Sequence, residues 1–373
     1  MAERYDVAVV GLGAAGAAAL SALAQAGVRA IGIDQFKPPH ALGSSHGETR
    51  LLRTAYSEGA FYVPLVRRAI LLWRALEQRT GTRLFEQTGV IYAGPRDDPF
   101  LTGAQDAARR WRLSLPRGVE MEAWFDLPGD WLRLTDSAGG YLRPERAIAA
   151  FLRDAKAQGA KVLNEARCDA IDRAGKTIRL FTTKGGIETN RLIVTTGAWA
   201  SELVPELAPW TAVERRVLHW FADPQRRFMR RKGLLPFAIS TGRNQLFYGF
   251  PANAKGEVKV GEHDTVERIA SPAALSRRIG QADIAAILPL VRQYMPGLGR
   301  RVRSEVCMYP MSKDEHFILD RHPDDARIAI GAGLSGHGFK FAPAIGEALA
   351  NLALRRKQAV SIAPFRLRRL ICS

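Results

Sequence analysis

The chain has 373 residues, of which 47% are hydrophobic, so it is long enough to form two domains with substantial cores. It carries 54 Lys and Arg against 37 Asp and Glu, a formal net charge of +17 that attracts anions in general. The basic clusters at positions 226–232, 300–303 and 355–369 lack the interleaved aromatic residues of a base-stacking surface. We interpret them as solvated faces, and no nucleic acid is expected as a partner.

Cysteine usage and hydropathy set further limits. The three cysteines, Cys168, Cys307 and Cys372, include no Cys-x-x-Cys pair, which argues against a disulfide framework and a metal site and favours a reducing, cytoplasmic location. Residues 7–28 are uncharged and resemble the core of a secretion signal, but Asp6 interrupts that pattern. No later apolar run reaches the ~18 residues of a membrane span, so no membrane association is expected.

The predicted elements begin with a strand–helix–strand unit. Residues 5–10 predict a buried strand, residues 14–26 predict a helix rich in small side chains, and residues 28–33 predict a second strand. Gly27 follows the helix and is typical of its end.

The segment between the first strand and the helix is Gly11-Leu12-Gly13-Ala14-Ala15-Gly16. Glycines at these three positions let the backbone approach a pyrophosphate, whose charge the helix N-terminus favours. Asp34 ends the second strand, at roughly the ~20-residue spacing of a carboxylate that binds a ribose hydroxyl. Together these features predict a dinucleotide site formed by Gly11, Gly13, Gly16 and Asp34.

Similar elements recur along the chain and indicate the fold. Helices are predicted over residues 146–158 and 343–354, strands of the same nucleotide-binding fold over 161–163, 178–182, 192–195 and 328–331, and antiparallel strands over 245–250, 257–263 and 305–309.

These patterns predict an α/β fold of two domains. A Rossmann-like nucleotide-binding domain is built from the discontinuous segments 1–85, 143–212 and 318–373. An α+β substrate domain, built on an antiparallel sheet, is inserted as 86–142 and 213–317.

A series of longer motifs follows the dinucleotide loop in order. The motifs are Pro38-Pro39-His40, GSSHGETRLLR at 43–53, Tyr56, Glu58-Gly59, YVPL at 62–65, YGFP at 248–251, VCMY at 306–309, DEHFI at 314–318 with Asp320, and GLSGHGFKF at 333–341. In these motifs the chain resembles the monomeric sarcosine oxidase and N-methyltryptophan oxidase family along essentially its whole length.

The chain also departs from the family pattern. Ser45 and Glu48 stand where the family usually has His and Asp, and Thr54 stands where it has His. Leu334 and the closing segment 363–367 are nearer to the N-methyltryptophan branch than to the sarcosine branch. These features indicate the substrate only weakly.

The resemblance implies that the dinucleotide is FAD, bound covalently through a cysteine sulfur to the flavin 8α-methyl group. By the match to VCMY, that cysteine is Cys307; composition alone predicts only an inert buried thiol. His46 and Arg50 match family positions beside the flavin, where cations stabilise negative charge on its ring. Gly336, in the last motif, is included among the cofactor-binding residues.

The resemblance assigns the substrate carboxylate to Arg53 and Lys340, an Arg fork paired with a point-charge Lys. Lys340 also lies in a glycine-rich loop before a helix, where ligands commonly bind, so it is included among the cofactor-binding residues. The spacing of three between Arg50 and Arg53 suggests a helical turn that points both side chains the same way.

Four further residues complete the predicted catalytic set. Lys259 and His263 have the even spacing of residues on one face of a strand, with Gly261 leaving room between them. The family lysine that matches Lys259 lies over the flavin ring and promotes electron transfer to oxygen. Tyr248 and Tyr309 match aromatic residues that line the amine pocket.

The resemblance therefore implies an oxidase of secondary, N-methyl amino acids with a free carboxylate, which consumes oxygen and releases hydrogen peroxide, formaldehyde and the primary amino acid. A monomer is expected. Three alternatives stay open: a dehydrogenase with another electron acceptor, an oxidase of cyclic imino acids such as pipecolate, and a flavoprotein associated with RNA. The sequence does not rank N-methyltryptophan, sarcosine and pipecolate as substrates.

Overall fold

The structure is a computed structural model that describes residues 3–118, 120–242, 245–264 and 267–371. Cys372 and the end of the segment predicted as 318–373 lie outside these residues. Its strands are β1 (Arg4–Val10), β2 (Ala30–Ile33), β3 (Arg50–Leu52), β4 (Phe85–Gln87), β5 (Val90–Gly94), β6 (Leu132–Asp136), β7 (Gly140–Leu142), β8 (Lys161–Leu163), β9 (Cys168–Asp172), β10 (Ile178–Thr182), β11 (Gly185–Val194), β12 (Thr211–Ala222), β13 (Phe237–Ser240), β14 (Leu246–Gly249), β15 (Glu257–Glu262), β16 (Arg268–Ile269), β17 (Arg301–Ser312), β18 (Ile318–Arg321) and β19 (Ile328–Ala332). Its α-helices are α1 (Ala14–Gln25), α2 (Val63–Thr80), α3 (Pro99–Trp111), α4 (Pro144–Ala157), α5 (Ala200–Leu203), α6 (Gln281–Tyr294), α7 (Ala342–Leu354) and α8 (Arg368–Ile371).

The first large sheet carries the nucleotide-binding unit. Its strands follow the order β18-β19-β11-β1-β2-β8, with β10 and β9 added at β11. The pairs formed by β19, β11, β1, β2 and β8 are parallel. Helix α1 packs against α4 and α7, and a Cβ on Gly346 of α7 would lie 2.5 Å from the backbone of Ala18. Small side chains therefore let the two helices approach closely, as the predicted Rossmann-like fold requires.

The second large sheet is built from segments that are distant in sequence. Its order is β16-β12-β15-β14-β13-β5-β6, with β17 paired to β12. The pairs are antiparallel except for β13 with β5, which run parallel. The predicted hairpin partners, β14 and β15, pair as expected. The α/β fold class with a parallel and an antiparallel sheet is confirmed, while the domain boundaries stay a prediction.

Two strands extend well beyond their predicted bounds. Strand β11 begins at Gly185 instead of position 192, because its polar first half pairs with β10 in a hairpin. Strand β17 covers Arg301–Ser312 because almost its whole length pairs with β12. Its charged start carries no apolar periodicity, so only the pairing partner reveals it as a strand.

A third, small sheet has the order β3-β7-β4. It overturns the expected helical turn at Arg50 and Arg53, since Arg50–Leu52 is a strand paired with β7. Residues three apart on extended backbone face opposite sides, so the two guanidinium groups are directed to different regions. Within the described ranges, none of the helices combines the length and apolar character that crossing a bilayer requires.

Candidate active site

The loop between β1 and α1 uses its glycines in different ways. Gly11 has φ +89°, and a Cβ there would lie 2.5 Å from the Thr195 carbonyl oxygen. A Cβ on Gly16 would lie 1.8 Å from the Gly11 carbonyl oxygen, whereas a Cβ on Gly13 would meet nothing within 4 Å. The first and third glycines therefore allow close packing, and the open space at the second would let a pyrophosphate approach the helix N-terminus.

A cavity of about 360 Å³ starts at this loop and continues between the two large sheets. At one end it is lined by Gly11, Gly13 and Asp34, and toward the other end by Arg50, Tyr309 and Gly336 among others. The hydroxyl of Thr196, also in the wall, is buried without a hydrogen-bond partner among the described residues. Of the predicted cofactor residues, Gly11, Gly13, Asp34, Arg50 and Gly336 line this one space, whereas Gly16, His46, Cys307 and Lys340 lie outside its lining.

Asp34 lies at the cavity wall and is almost completely buried. Its Oδ2 accepts a hydrogen bond from the Leu12 backbone N–H at 2.7 Å, and its Oδ1 accepts one from the Phe36 N–H at 2.8 Å. The carboxylate therefore also stabilises the glycine loop. Each oxygen retains a lone pair for a further donor such as a ribose hydroxyl.

Cys307 and His46 form a buried pair beside the cavity. Cys307 is 1% exposed, and its Sγ lies 3.6 Å from the carbonyl oxygen of Ser44, a residue of the cavity wall. Burial raises the pKa of the Cys307 thiol, but the hydrogen bond and charge of His46 and the charge of Arg50 outweigh burial and lower that pKa below its usual value. The sulfur is therefore in an environment that favours the thiolate.

The pKa of His46 moves in the opposite direction. Burial lowers it, but the interactions with Cys307 and with the carboxylate of Glu305 raise the pKa of His46 to about 9. Nδ1 of His46 lies 3.2 Å from Oε2 of Glu305. Nε2 is buried without a hydrogen-bond partner among the described residues.

Arg50 and Lys259 both lie near this pair and are held by backbone carbonyls. Arg50 donates to the carbonyl oxygens of Ser44 at 2.9 Å and Thr49 at 3.0 Å. Lys259 Nζ donates to those of Gly47 at 2.7 Å and Thr49 at 2.6 Å. Burial and the nearby charge of Arg50 lower the pKa of Lys259 well below its usual value of 10.5.

Arg53 and Lys340 meet at the ring of Tyr56, as the predicted carboxylate pair requires. The Arg53 Cζ and the Lys340 Nζ each lie 5.0 Å from the centre of that ring. Arg53 is 6% exposed and donates to Oε1 of Glu58 at 2.5 Å and to Oγ of Ser57 at 2.8 Å. The guanidinium predicted to bind substrate is thus paired with a carboxylate of the chain itself.

Lys340 is held by two neighbours. Its Nζ donates to the His337 carbonyl oxygen at 2.8 Å and to the Tyr56 hydroxyl at 3.2 Å. Burial and the charge of Arg53 lower the pKa of Lys340 to about 7, against the opposing charge of Glu58. Lys340 therefore gains or loses its proton near neutral pH.

Tyr309 lines the cavity, and Tyr248 and His263 lie close to it. Tyr248 and Tyr309 are near enough for each to affect the pKa of the other, and the His263 ring lies 5.8 Å from the Tyr309 ring. Burial lowers the pKa of His263 to about 4, so its imidazole is neutral at neutral pH.

One detail of the prediction is wrong. The room beside Gly261 is filled by the ring of Tyr248, because the two residues are paired across β14 and β15, and a Cβ on Gly261 would lie 2.9 Å from that ring. Gly336 acts similarly, since a Cβ there would lie 2.3 Å from the Tyr309 ring.

Three carboxylates that sequence reasoning left without a role support the site. They are Glu58 on Arg53, Glu305 on His46, and Asp136, which accepts hydrogen bonds from the Thr54 hydroxyl and the Tyr92 hydroxyl. Asp136 is at one of the buried positions of β6, where buried and half-buried residues alternate. A charged residue at a buried position of such a strand is a pattern that the sequence alone could have indicated. Glu58 and Glu305 have no such signal, because their partners come from tertiary contacts.

One group outside this site has the composition of a metal centre. Ligand atoms of Glu206, His322 and Asp324 lie within 4.8 Å of one another. The guanidinium of Arg173 lies 2.8 Å from Nε2 of His322 and 3.3 Å from Glu206. This cation already contacts two members of the group, so the geometry supports an ion-pair cluster.

The glycine loop, the open position at Gly13 and the elongated cavity define a dinucleotide-binding protein of the Rossmann type. A family model described as FAD dependent oxidoreductase matches residues 6–352. N-methyl-L-tryptophan oxidase of Yersinia pestis (strain Pestoides F) is 37% identical over 372 residues, covering 98% of this chain and 99% of the relative. The chain therefore belongs to the FAD-dependent oxidoreductase family and is a flavoprotein oxidoreductase.

Solved structures show the same fold at low identity. NikD, an unusual amino acid oxidase essential for nikkomycin biosynthesis, has a TM-score of 0.83 at 21% identity and covers 98% of this chain and 97% of its own. Glycine oxidase from Geobacillus kaustophilus has a TM-score of 0.80 at 19% identity and covers 98% of each chain.

The residues of this chain fit FAD. The open space at Gly13 would admit the pyrophosphate, Asp34 would accept a hydrogen bond from the adenosine ribose, and Thr196, whose hydroxyl has no partner among the described residues, lines the same cavity. Arg50 adds a cation at the end of the cavity near Cys307, where a flavin ring benefits from a nearby positive charge.

Proposed function

We propose that the protein is an FAD-dependent oxidase that demethylates N-methyl amino acids of the N-methyltryptophan or sarcosine type. The observation that carries the proposal is the pair of buried cations, Arg53 and Lys340, on the ring of Tyr56. Two cations at an aromatic-lined site suit a small zwitterion whose carboxylate must be held while its amine end reacts. The relatives named as N-methyl-L-tryptophan oxidase support the same substrate class.

In this function the chain binds and orients the substrate. Protonated Lys340 and the fork of Arg53 hold the carboxylate, which must compete with Glu58 for the guanidinium. Tyr248 and Tyr309 form the wall of the amine pocket, and neutral His263 adds no charge that would repel an incoming ammonium group. Fixing the N-methyl group in a reactive orientation supplies much of the acceleration.

Bound FAD supplies the two-electron acceptor for oxidation of the C–N bond. Water then splits the resulting imine into formaldehyde and the primary amino acid. Oxygen is the final acceptor and leaves as hydrogen peroxide. The charge of Lys259, held by the carbonyls of Gly47 and Thr49, stabilises the anion formed as oxygen accepts an electron.

A peroxide-release screen across N-methyl amino acids of increasing side-chain size tests this function. We expect stoichiometric peroxide with an N-methyl amino acid and much slower peroxide release with the same amine lacking its carboxylate. Turnover with an artificial electron acceptor but without peroxide would identify a dehydrogenase instead. Preference for pipecolate would identify a cyclic imino acid oxidase.

We further propose that Cys307 bears the FAD through a thioether to the flavin 8α carbon. Forming this bond removes one hydrogen from the thiol and one from the methyl group, and oxygen takes up both as hydrogen peroxide. Acid precipitation should leave the yellow colour with the wild-type protein, and Cys307→Ser should release all FAD into the supernatant. Cys168→Ser is the matched control and should retain the colour. FAD in the wild-type supernatant would contradict the thioether.

A further inference from the structure

We propose that Glu305 is a positioning residue that keeps His46 protonated beside Cys307, so that the cysteine is held as a thiolate ready for attachment to FAD. This inference rests on the proposed role of Cys307 as the FAD-bearing residue. Glu305 is thus a third residue of the site formed by Cys307 and His46. It neither lines the cofactor cavity nor contacts the sulfur.

The three side chains lie in the order Cys307, His46 and Glu305. The pKa of His46 is raised by Cys307, Nε2 of His46 is buried without a hydrogen-bond partner among the described residues, and Nδ1 lies 3.2 Å from Oε2 of Glu305. A carboxylate at this distance from Nδ1 favours a proton on that nitrogen. A second proton, on Nε2, then comes from the thiol: it leaves Sγ and binds Nε2, and the chain holds an imidazolium between a thiolate and a carboxylate.

Glu305 is itself held in place. Its other oxygen, Oε1, accepts a hydrogen bond from Arg303 at 2.5 Å, and Arg303 also binds Glu48 and Glu257. The guanidinium of Arg303 lies 3.7 Å from the centre of the Trp220 ring. Because the strand pair β12–β17 fixes these side chains, the Glu305 carboxylate is aimed at His46 before any cofactor arrives.

Because His46 is buried, its positive charge needs the nearby carboxylate of Glu305. His46 is 3% exposed and Cys307 is 1% exposed, so an isolated imidazolium there would lose most of its hydration. Burial lowers the pKa of His46 and the charge of Arg50 lowers it further, so the positive His46 depends on its interactions with Cys307 and Glu305. The hydrogen bond and charge of His46 in turn lower the pKa of Glu305 against the effect of burial.

Other charged or ionisable groups surround the pair from neighbouring elements. Those from β3 and from the strands of the second large sheet are Arg50, Lys259, Arg216, Tyr248 and Tyr309. Arg216 is bound to Glu214, and Tyr248 and Tyr309 stay neutral because burial raises the pKa of each. Arg50 lowers the pKa of Cys307 and also that of His46, so it stabilises the thiolate but opposes the imidazolium. Glu305 is the carboxylate that raises the pKa of His46 from outside the pair.

The test is the pH dependence of Cys307 in the full-length, FAD-free chain. Ultraviolet thiolate absorbance, corrected by subtracting the Cys307→Ser protein, gives the fraction of thiolate at each pH. Glu305→Gln should move this titration to higher pH by about one unit, the lower limit for loss of a close opposite charge. Covalent attachment after adding FAD should slow about tenfold at neutral pH, following the loss of thiolate.

Glu257→Gln is the matched control, since it removes a carboxylate from Arg303 without touching His46. It should leave the titration and the attachment rate unchanged. If Glu305→Gln titrates like the wild type, the proposal is wrong. If the wild type shows a thiolate that depends on Glu305 but attaches no FAD, the thioether proposal fails while this one stands.

A measurement on the wild-type chain needs no variant. Nitrogen NMR of His46 in the FAD-free protein should show both ring nitrogens protonated at neutral pH. A neutral His46 would overturn the proposal, even if Glu305→Gln failed to fold.

Discussion

Lys259→Met is expected to slow reoxidation of the reduced flavin by oxygen roughly 10²–10³-fold, the usual cost of removing one charge-stabilising donor. Anaerobic reduction by substrate should change little, because Lys259 contacts the carbonyls of Gly47 and Thr49 and not the Arg53–Lys340 pair. Rapid mixing separates the two steps: substrate is added without oxygen, and oxygen is added to the reduced enzyme afterwards. Equal loss in both steps would exclude this role.

The same lysine predicts a pH dependence. Burial lowers the pKa of Lys259 well below 10.5, so the lysine loses its charge at a lower pH than an exposed lysine does. Only the protonated form stabilises an anion, so reoxidation should be fastest at low pH and decline as pH rises through that pKa. Lys259→Met should lack this decline. Lys255→Met, on the exposed turn before the same strand, is the control and should behave as the wild type.

Lys340→Met is expected to lower kcat/KM for an N-methyl amino acid about 10²-fold, a typical effect of losing one charged partner of a buried carboxylate. The variant leaves the Arg53–Glu58 ion pair intact, whereas replacing Arg53 would leave the buried Glu58 without its cation. Steady-state kinetics across pH provide the check. The wild-type kcat/KM should decrease as pH rises through about 7, because the pKa of Lys340 is about 7 and only the protonated lysine binds the carboxylate.

Lys340→Met should lack that decline. Lys313→Met makes the same substitution at an exposed lysine and should leave kcat/KM unchanged. A substrate analogue without a carboxylate should react equally with the wild type and Lys340→Met. If the variant instead loses activity toward both compounds by the same factor, Lys340 does not bind the carboxylate.

The nucleotide loop and the core strands were predictable because their signals are local. Gly11, Gly13 and Gly16 adjoin a buried strand and a small-residue helix, and the backbone of this one segment forms the turn. The bounds of β8 and β10 also agree with the predicted ones. The charged first half of β17 was missed, because its place in the sheet depends on β12 and not on its own residues.

The orientation of the cations could not be derived from spacing. The spacing of Arg50 and Arg53 predicts a helical turn, but residues 50–52 form a strand paired with β7. The two arginine side chains therefore point in different directions. The room predicted beside Gly261 is occupied by Tyr248 for the same kind of reason, since the register of β14 and β15 places the two residues opposite each other. In both cases cross-strand pairing overrides the local pattern.

By itself, the sequence determined the dinucleotide loop, the α/β class and the identity of the residues in each motif, because these depend on neighbours along the chain. Only the tertiary structure decided which charges meet: Arg53 with Glu58, and His46 with both Cys307 and Glu305. The physical reason is that the charge state of a buried group depends on burial and on partners brought from distant strands. The reactive state of Cys307 is therefore a property of the fold, although the residue itself is visible in the sequence.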